Sequence, residues 1–186
     1  DLSYHDWFFI ETIEQFALDI CNHFISSYCH VVYVKAYVQE VPWRRLEKNG
    51  VPHVHSFIFV PEGIRFCEVE QCQNGCPLIS SGIKDLKLKK TAQSGFEDFC
   101  RDKYTTLPET NDRVLSAELF CKWCYVILDL YFHTIFLRDI VHESVLEAFS
   151  GPPDCGEYSP SYQKTVNDIQ MLILARVPQR RLKNWD

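Results

Sequence analysis

Seven glycines in 186 residues leave the chain poor in glycine, and its nine prolines are no more than usual, which argues against collagen-like, low-complexity and disordered organisation. With hydrophobic residues at 46% and charged residues at 24%, the composition is that of a globular chain with a buried core. Positive charge is also scarce: 19 Lys and Arg against 25 Asp and Glu give a net charge of −6. No general basic field is available for a phosphate backbone, so nucleic acid is not an expected partner. Long apolar runs are missing too. The strongest, residues 124–128, stops at Asp129, well short of the roughly 18 residues that suggest a membrane span; the chain is read as soluble, with no membrane partner. Residues 1–6 lack a positive n-region, and Asn184-Trp185-Asp186 matches no peroxisomal or reticular tripeptide. Nine cysteines, an odd number below the density of disulfide-stapled secreted scaffolds, are expected as reduced thiols inside a cell.

What is present has period and punctuation. Ile13, Phe16, Ala17, Ile20, Cys21 and Phe24 recur at helical spacing between residues 11 and 28, with Glu14, Asp19 and Asn22 off that stripe, which predicts an amphipathic helix. The β-branched and aromatic run 31–38 predicts a strand, followed by Pro42 and the turn pair Asn49-Gly50. Alternation over 53–59 and 65–70, separated by Pro61-Glu62-Gly63, adds two more, so three consecutive antiparallel strands are expected. Residues 73–82, rich in Gly, Pro, Ser and Asn, form the expected linker between a first unit over 1–72 and a second over 83–178, with a divergent tail over 179–186. The second unit opens with alternating residues 83–89 and resumes as a strand from Val114 to about Val126. It closes with two helices. Leu137, Val141, Val145 and Ala148 mark one; Ser159 as N-cap and Pro160 at the first helical position open the other, with Tyr162, Val166, Ile169 and Ile173 as its buried stripe. The fold class is α+β, each unit a sheet covered by helices on one face. The first is short of strands before its helix and the second after its helices, so open edges are expected to recruit other strands.

Fingerprints of cofactor chemistry are absent: the sequence holds no Gly-rich phosphate loop and no Gly-x-Ser-x-Gly elbow. Cys121-Lys122-Trp123-Cys124 has the spacing of a redox or metal pair, and Cys67, Cys72 and Cys76 with His53 and His55 include zinc-ligand types. On a strand, however, positions three apart face opposite sides, and thiols packed as small hydrophobes are the simpler assignment. His53 and His55 share one strand face and are read as a hydrogen-bonded structural pair before a ligand or proton shuttle. Lys87, Lys89 and Lys90 read as a solvated strand face. No metal and no cofactor are expected.

Two runs carry a more specific signal: Thr91-Ala92-Gln93-Ser94-Gly95-Phe96-Glu97-Asp98-Phe99 with Tyr104-Thr105-Thr106-Leu107-Pro108-Glu109 and Asp112-Arg113, and Gly156-Glu157-Tyr158-Ser159-Pro160-Ser161-Tyr162-Gln163. Together with residues 41–51, the His-Val-His strand, 66–71 and 81–87, they resemble urate oxidase from about Glu11 to Pro178. Residues 1–9 and 179–186 resemble nothing in that family. The resemblance implies tandem T-fold units, here two incomplete ones, each an antiparallel sheet with helices on one face, assembled by edge pairing into a homotetramer. It implies a peroxisomal enzyme of purine catabolism, with the cytoplasm as the alternative location because residues 184–186 match no peroxisomal tripeptide, that oxidises urate with O2 to 5-hydroxyisourate and H2O2 without metal or organic cofactor.

By the same resemblance, Arg113 and Gln163 grip the purine's oxygens and nitrogens, Phe96 stacks on it, and Leu107 lines the pocket. A guanidinium fork supplies charge with bidentate geometry, and a carboxamide supplies one donor and one acceptor. Tyr162, where family members carry a small aliphatic residue, departs from the pattern at a position whose backbone N–H faces the anion. The segment 124–136 departs from it as well. The family's general-base lysine, its threonine-aspartate pair and its asparagine-histidine pair match no residue in this sequence, so the chain alone is expected to be inactive. Two alternatives stand beside this reading: a non-catalytic protein pairing through open T-fold edges, and a zinc module built on the Cys and His residues.

Overall fold

The computed structural model describes residues 12–60, 62–125, 130–177 and 182–185. The expectations placed on residues 1–9, on 126–129 within the departing segment, and on 179–181 of the tail lie outside them. The chain divides into two compact units, one formed by residues 1–86, 118–134 and 182–186, the other by 87–117 and 135–181.

In the first unit, helix α1 (Ile13–Ser27) starts where the Thr12 hydroxyl accepts from the Gln15 N–H at 3.1 Å, a conventional N-cap. Strands β1 (Tyr33–Gln39), β2 (Trp43–Lys48), β3 (Val51–Phe59) and β4 (Ile64–Cys72) follow. They are not three neighbours in sequence order. β1 pairs directly with β4, Ala36 opposite Val69, while β2, unforeseen in the sequence, pairs with β3 as a separate two-stranded ribbon. The reason is the Asn49-Gly50 pair: φ of 55° and 77° makes it a two-residue hairpin turn, which folds β3 back on β2. β5 (Leu78–Lys90), β6 (Leu115–Tyr125) and β7 (Leu182–Trp185) complete a five-stranded sheet of order β1-β4-β5-β6-β7. Of residues 73–82, the last five belong to β5. Within the tail, β7 pairs antiparallel with β6, a strand the sequence pattern did not announce.

α1 lies on β1 and β4. Ala17 and Cys21 are buried as the stripe predicts, but Phe24 is exposed and Glu14, expected off the stripe, has no exposed surface. Electrostatics overrides periodicity here. Arg65 of β4 reaches both Glu14 carboxylate oxygens, at 2.8 and 2.6 Å, and the Ser81 hydroxyl donates to the same group at 2.5 Å. Arg65 also bonds Glu40 at 3.1 Å. Burial pushes the neighbouring Cys67 thiol up to about 12 and raises the Tyr125 phenol as well. On the other face, Tyr37, Phe66 and Phe120 stack in a row, with centroids 5.7 and 5.5 Å apart. Gly82, paired with Phe66, makes that row possible, because a Cβ there would run into the Phe66 ring and the Cys121 carbonyl.

In the second unit, α2 (Leu130–Ser150) buries Leu137, Val141, Val145 and Phe149. α3 (Tyr162–Arg176) buries Thr165, Ile169 and Ile173. Arg176 ties the two helices through the Ser144 hydroxyl at 3.2 Å and Glu147 at 2.6 Å. Two expectations are corrected. Tyr162 and Val166 are exposed, and the N-cap of α3 is Ser161, whose hydroxyl accepts from the Lys164 N–H at 3.1 Å. Ser159 and Pro160 precede the helix because the Ser159 backbone is already paired elsewhere. Among the described residues no helix is long and apolar enough to cross a membrane.

A buried charge is costly once its partner is gone. Glu14→Ala is therefore expected to lower stability by about 3–5 kcal/mol in urea unfolding, whereas Glu14→Leu combined with Arg65→Met should lose far less. Equal losses would show that shape rather than charge pairing matters at this position.

Candidate functional site

The residues singled out in the second unit sit on two loops, 91–114 between β5 and β6 and 151–161 between α2 and α3. Backbone pairing stitches the loops together. The Gly95 N–H donates to the Ser159 carbonyl at 2.8 Å and the Ser159 N–H to the Gln93 carbonyl at 2.9 Å, forming a parallel bridge between Ser94 and Ser159. An antiparallel bridge joins Phe96 to Thr110, and the Arg113 N–H donates to the Ser94 carbonyl at 2.9 Å. A Cβ on Gly95 would collide with the Tyr158 hydroxyl and the Thr110 carbonyl, so only glycine permits this approach.

Side chains reinforce the seam. The Gln93 carboxamide donates to the Cys155 carbonyl at 2.7 Å, and the Tyr158 hydroxyl donates to Glu97, a bond that pushes its pKa up to about 12. Lys90 donates to the Glu157 carbonyl and to the Ser159 hydroxyl, the latter at 2.9 Å. This corrects its assignment to a solvated face: successive strand side chains alternate sides, so Lys87 and Lys89 stay exposed while Lys90 points at the 151–161 loop. Partial burial lowers the Lys90 pKa.

The stitched loops bring three of the candidate residues together. The Arg113 guanidinium carbon lies 5.5 Å from the Phe96 ring centroid and 5.2 Å from that of Tyr162, within cation–π range of both. The Tyr162 hydroxyl donates to the Ser116 carbonyl at 2.9 Å, which fixes its ring. The Nε and Nη2 atoms of Arg113 are buried without a hydrogen-bond partner. Gln163 is exposed in the first turn of α3, where the N–H groups of residues 162 and 163 have no intrahelical acceptor. Leu107 stands apart. Its side chain is 62% exposed, and it is engaged through its carbonyl, which accepts from Arg101 at 3.3 Å. Sequence reasoning passed over Phe99, which stacks on Phe96 with centroids 4.2 Å apart and planes 23° apart; the Phe96-x-x-Phe99 spacing was the available signal.

The remaining constellations do not converge. β6 runs unbroken through Cys121 and Cys124, so their side chains leave opposite faces, and burial pushes the Cys121 thiol up to about 11. The His53 ring nitrogen accepts from the backbone N–H groups of His55 and Ser56, at 3.2 and 3.0 Å, at the register shift of the β2–β3 ribbon. Among the described residues no group of three or more His, Cys, Asp or Glu is placed to hold a metal ion.

Comparison with known proteins bears on the family and the fold. The uricase family profile matches residues 9–70 and 79–180. Uricase of Oryctolagus cuniculus is 59% identical over 171 residues, and uricase of Danio rerio 48% over 170; each alignment covers 91% of this chain and 56% of the relative. The chain thus spans about half the length of the curated relatives it matches. The crystal structure of uricase from Arthrobacter globiformis superposes with a TM-score of 0.76 at 28% identity, over 90% of this chain and 54% of that one. A hyperthermostable urate oxidase mutant from Bacillus sp. TB-90 gives 0.71 at 25% identity, over 92% and 59%. The α+β architecture, antiparallel strands with helices packed on them, is the T-fold of these neighbours. With its sequence and its backbone matched along most of its length, the chain belongs to the uricase family.

Proposed function

We propose that this chain binds urate at the Arg113 site and belongs to the machinery that oxidises urate with O2 to 5-hydroxyisourate and H2O2. One observation carries the reading: two buried guanidinium nitrogens of Arg113, Nε and Nη2, lack any acceptor. Charged donors left unpaired in this way are costly, and a planar anion with adjacent acceptors would satisfy both at once. A lysine ammonium has no matching fork. Around this anchor, Gln163 supplies an amide donor and acceptor, and the start of α3 favours negative charge. Phe96 offers a stacking ring, worth about 0.5–1.5 kcal/mol beyond area. Leu107, held at the loop by its carbonyl, is assigned to the pocket rim. The Tyr162 ring, packed on Arg113, narrows the space that a small aliphatic residue would leave.

Proton removal from urate and placement of O2 need groups that this sequence does not match, so the chain by itself is proposed to bind urate without turning it over. General-base catalysis alone contributes about 10²–10⁴ in rate. Homotetrameric assembly belongs to the same proposal. Its support is the β2–β3 ribbon, which leaves the large apolar side chains of Trp43, Val51, Val54, Phe57 and Phe59 exposed, as surfaces that meet other subunits often do.

Purified chain mixed with urate in air is expected to show no sustained loss of urate absorbance; steady consumption without a companion chain would sink the inactivity claim. In calorimetric titration, Arg113→Lys should weaken urate binding by about 30–150-fold, equivalent to roughly 2–3 kcal/mol, with the melting temperature little changed. Unaltered affinity in that variant would remove Arg113 from the site. Sedimentation should give the mass of four chains, and a monomer at micromolar concentration would refute the assembly.

A further inference from the structure

Cys72 and Cys76, both exposed, flank the turn between β4 and β5 in the first unit, away from the loops that carry Arg113. The last paired positions of the two strands are Glu70 and Leu78. The Gly75 N–H donates to the Cys72 carbonyl at 3.2 Å, which closes a turn over residues 72–75. Counting inward from Leu78, position 77 falls opposite 71, so Gly75 and Cys76 both fall against Cys72, the two-against-one pattern of a β-bulge. Pro77 brings no N–H and ends the ladder there. Opposed residues of an antiparallel pair have Cα atoms about 4.5–5.5 Å apart, inside the roughly 4.4–6.8 Å that a disulfide spans. A Cβ on Gly75 would lie 3.4 Å from the Cys72 Cβ, so the Cys72 side chain leans towards this arm of the turn.

The other thiols are placed differently. Burial pushes Cys67 up to about 12 and Cys121 up to about 11, and it raises Cys21; thiols held protonated in this way are inert. Cys100 and Cys155 are exposed in the second unit, and Cys29 is exposed in the turn between α1 and β1. Among the described residues, Cys72 and Cys76 are the two exposed cysteines set across one turn.

We propose that Cys72 and Cys76 are a modification site, a pair that hydrogen peroxide converts to a disulfide locking the β4–β5 turn. One thiolate attacks a peroxide oxygen and becomes a sulfenic acid, with water leaving; the second thiol attacks that sulfur and releases another water. Two thiols and one H2O2 thus give one disulfide and two waters, the sulfurs losing the two electrons that peroxide gains. A thiol reductant restores the pair, so the reduced state is the resting one. H2O2 is the co-product of the reaction proposed above, but this site stands whether or not the chain binds urate.

The full chain, reduced and then treated with H2O2, would be denatured, alkylated and digested with trypsin. Arg65 and Lys84 bound a peptide of residues 66–84 that holds Cys67, Cys72 and Cys76. That peptide should weigh less by two hydrogens, take one alkyl group instead of three, and give no backbone fragments between positions 72 and 76. Dithiothreitol should reverse all three changes. Cys72→Ser and Cys76→Ser should each abolish the mass loss, and Cys29→Ser should leave it. Three alkylated cysteines in the peptide after peroxide, a cross-link to Cys29, or one between two chains overturns the proposal. Mapping the unaltered chain decides the question even where a serine variant fails to fold.

Discussion

Two backbone hydrogen bonds at Ser159 hold the candidate site together, one accepted from Gly95 and one donated to Gln93. They join loops more than sixty residues apart in sequence, and every contact of the guanidinium follows from that join. The bridge sets Phe96 beside the start of α3, and the Arg113 N–H bonded to the Ser94 carbonyl places the guanidinium between Phe96 and Tyr162. Glycine at position 95 is a condition of the join, because any Cβ would run into the Tyr158 hydroxyl and the Thr110 carbonyl. Tyr158, Gln93 and Lys90 then close the seam from the side chains.

Two arginines place guanidinium nitrogens out of solvent in contrasting ways: Arg65 is buried, and Arg113 is partly buried. Arg65 is matched by Glu14 and Glu40 and sits between a helix and a sheet; its charge is spent within the fold, and the pair fixes how α1 lies on β4. Arg113 is matched by nothing but two aromatic faces, and two of its donors are empty. A protein interior tolerates the first arrangement as structure. The second, on the reading proposed above, is a deficit that a bound anion would remove; Arg65 also leaves its Nε without a partner, but its charge is matched by carboxylates and that of Arg113 is not.

The aromatic residues divide along the same line. In the first unit, Tyr37, Phe66 and Phe120 form a row that Gly82 leaves room for, and the row serves the sheet. In the second, Phe96 and Phe99 form a tighter pair, both partly buried, flanked by the guanidinium groups of Arg113 and Arg101. The apolar ribbon of β2 and β3 serves neither core and leaves its aromatic residues in solvent.

Local pattern alone determined where α1, β1, β3, β4, β6 and the last helix lie, because hydrophobic period, caps and turn residues act over a few positions. The matched runs around Phe96, Arg113 and Gln163 also pointed to the family without any coordinates. Only the tertiary structure decided which strands pair, that Glu14 is buried against Arg65, that Ser161 rather than Ser159 caps α3, and that Phe99 stacks on Phe96. Each of these depends on partners far away in the chain, and the free energy of an ion pair, a bridge or a ring stack has no trace in the period of the residues that make it.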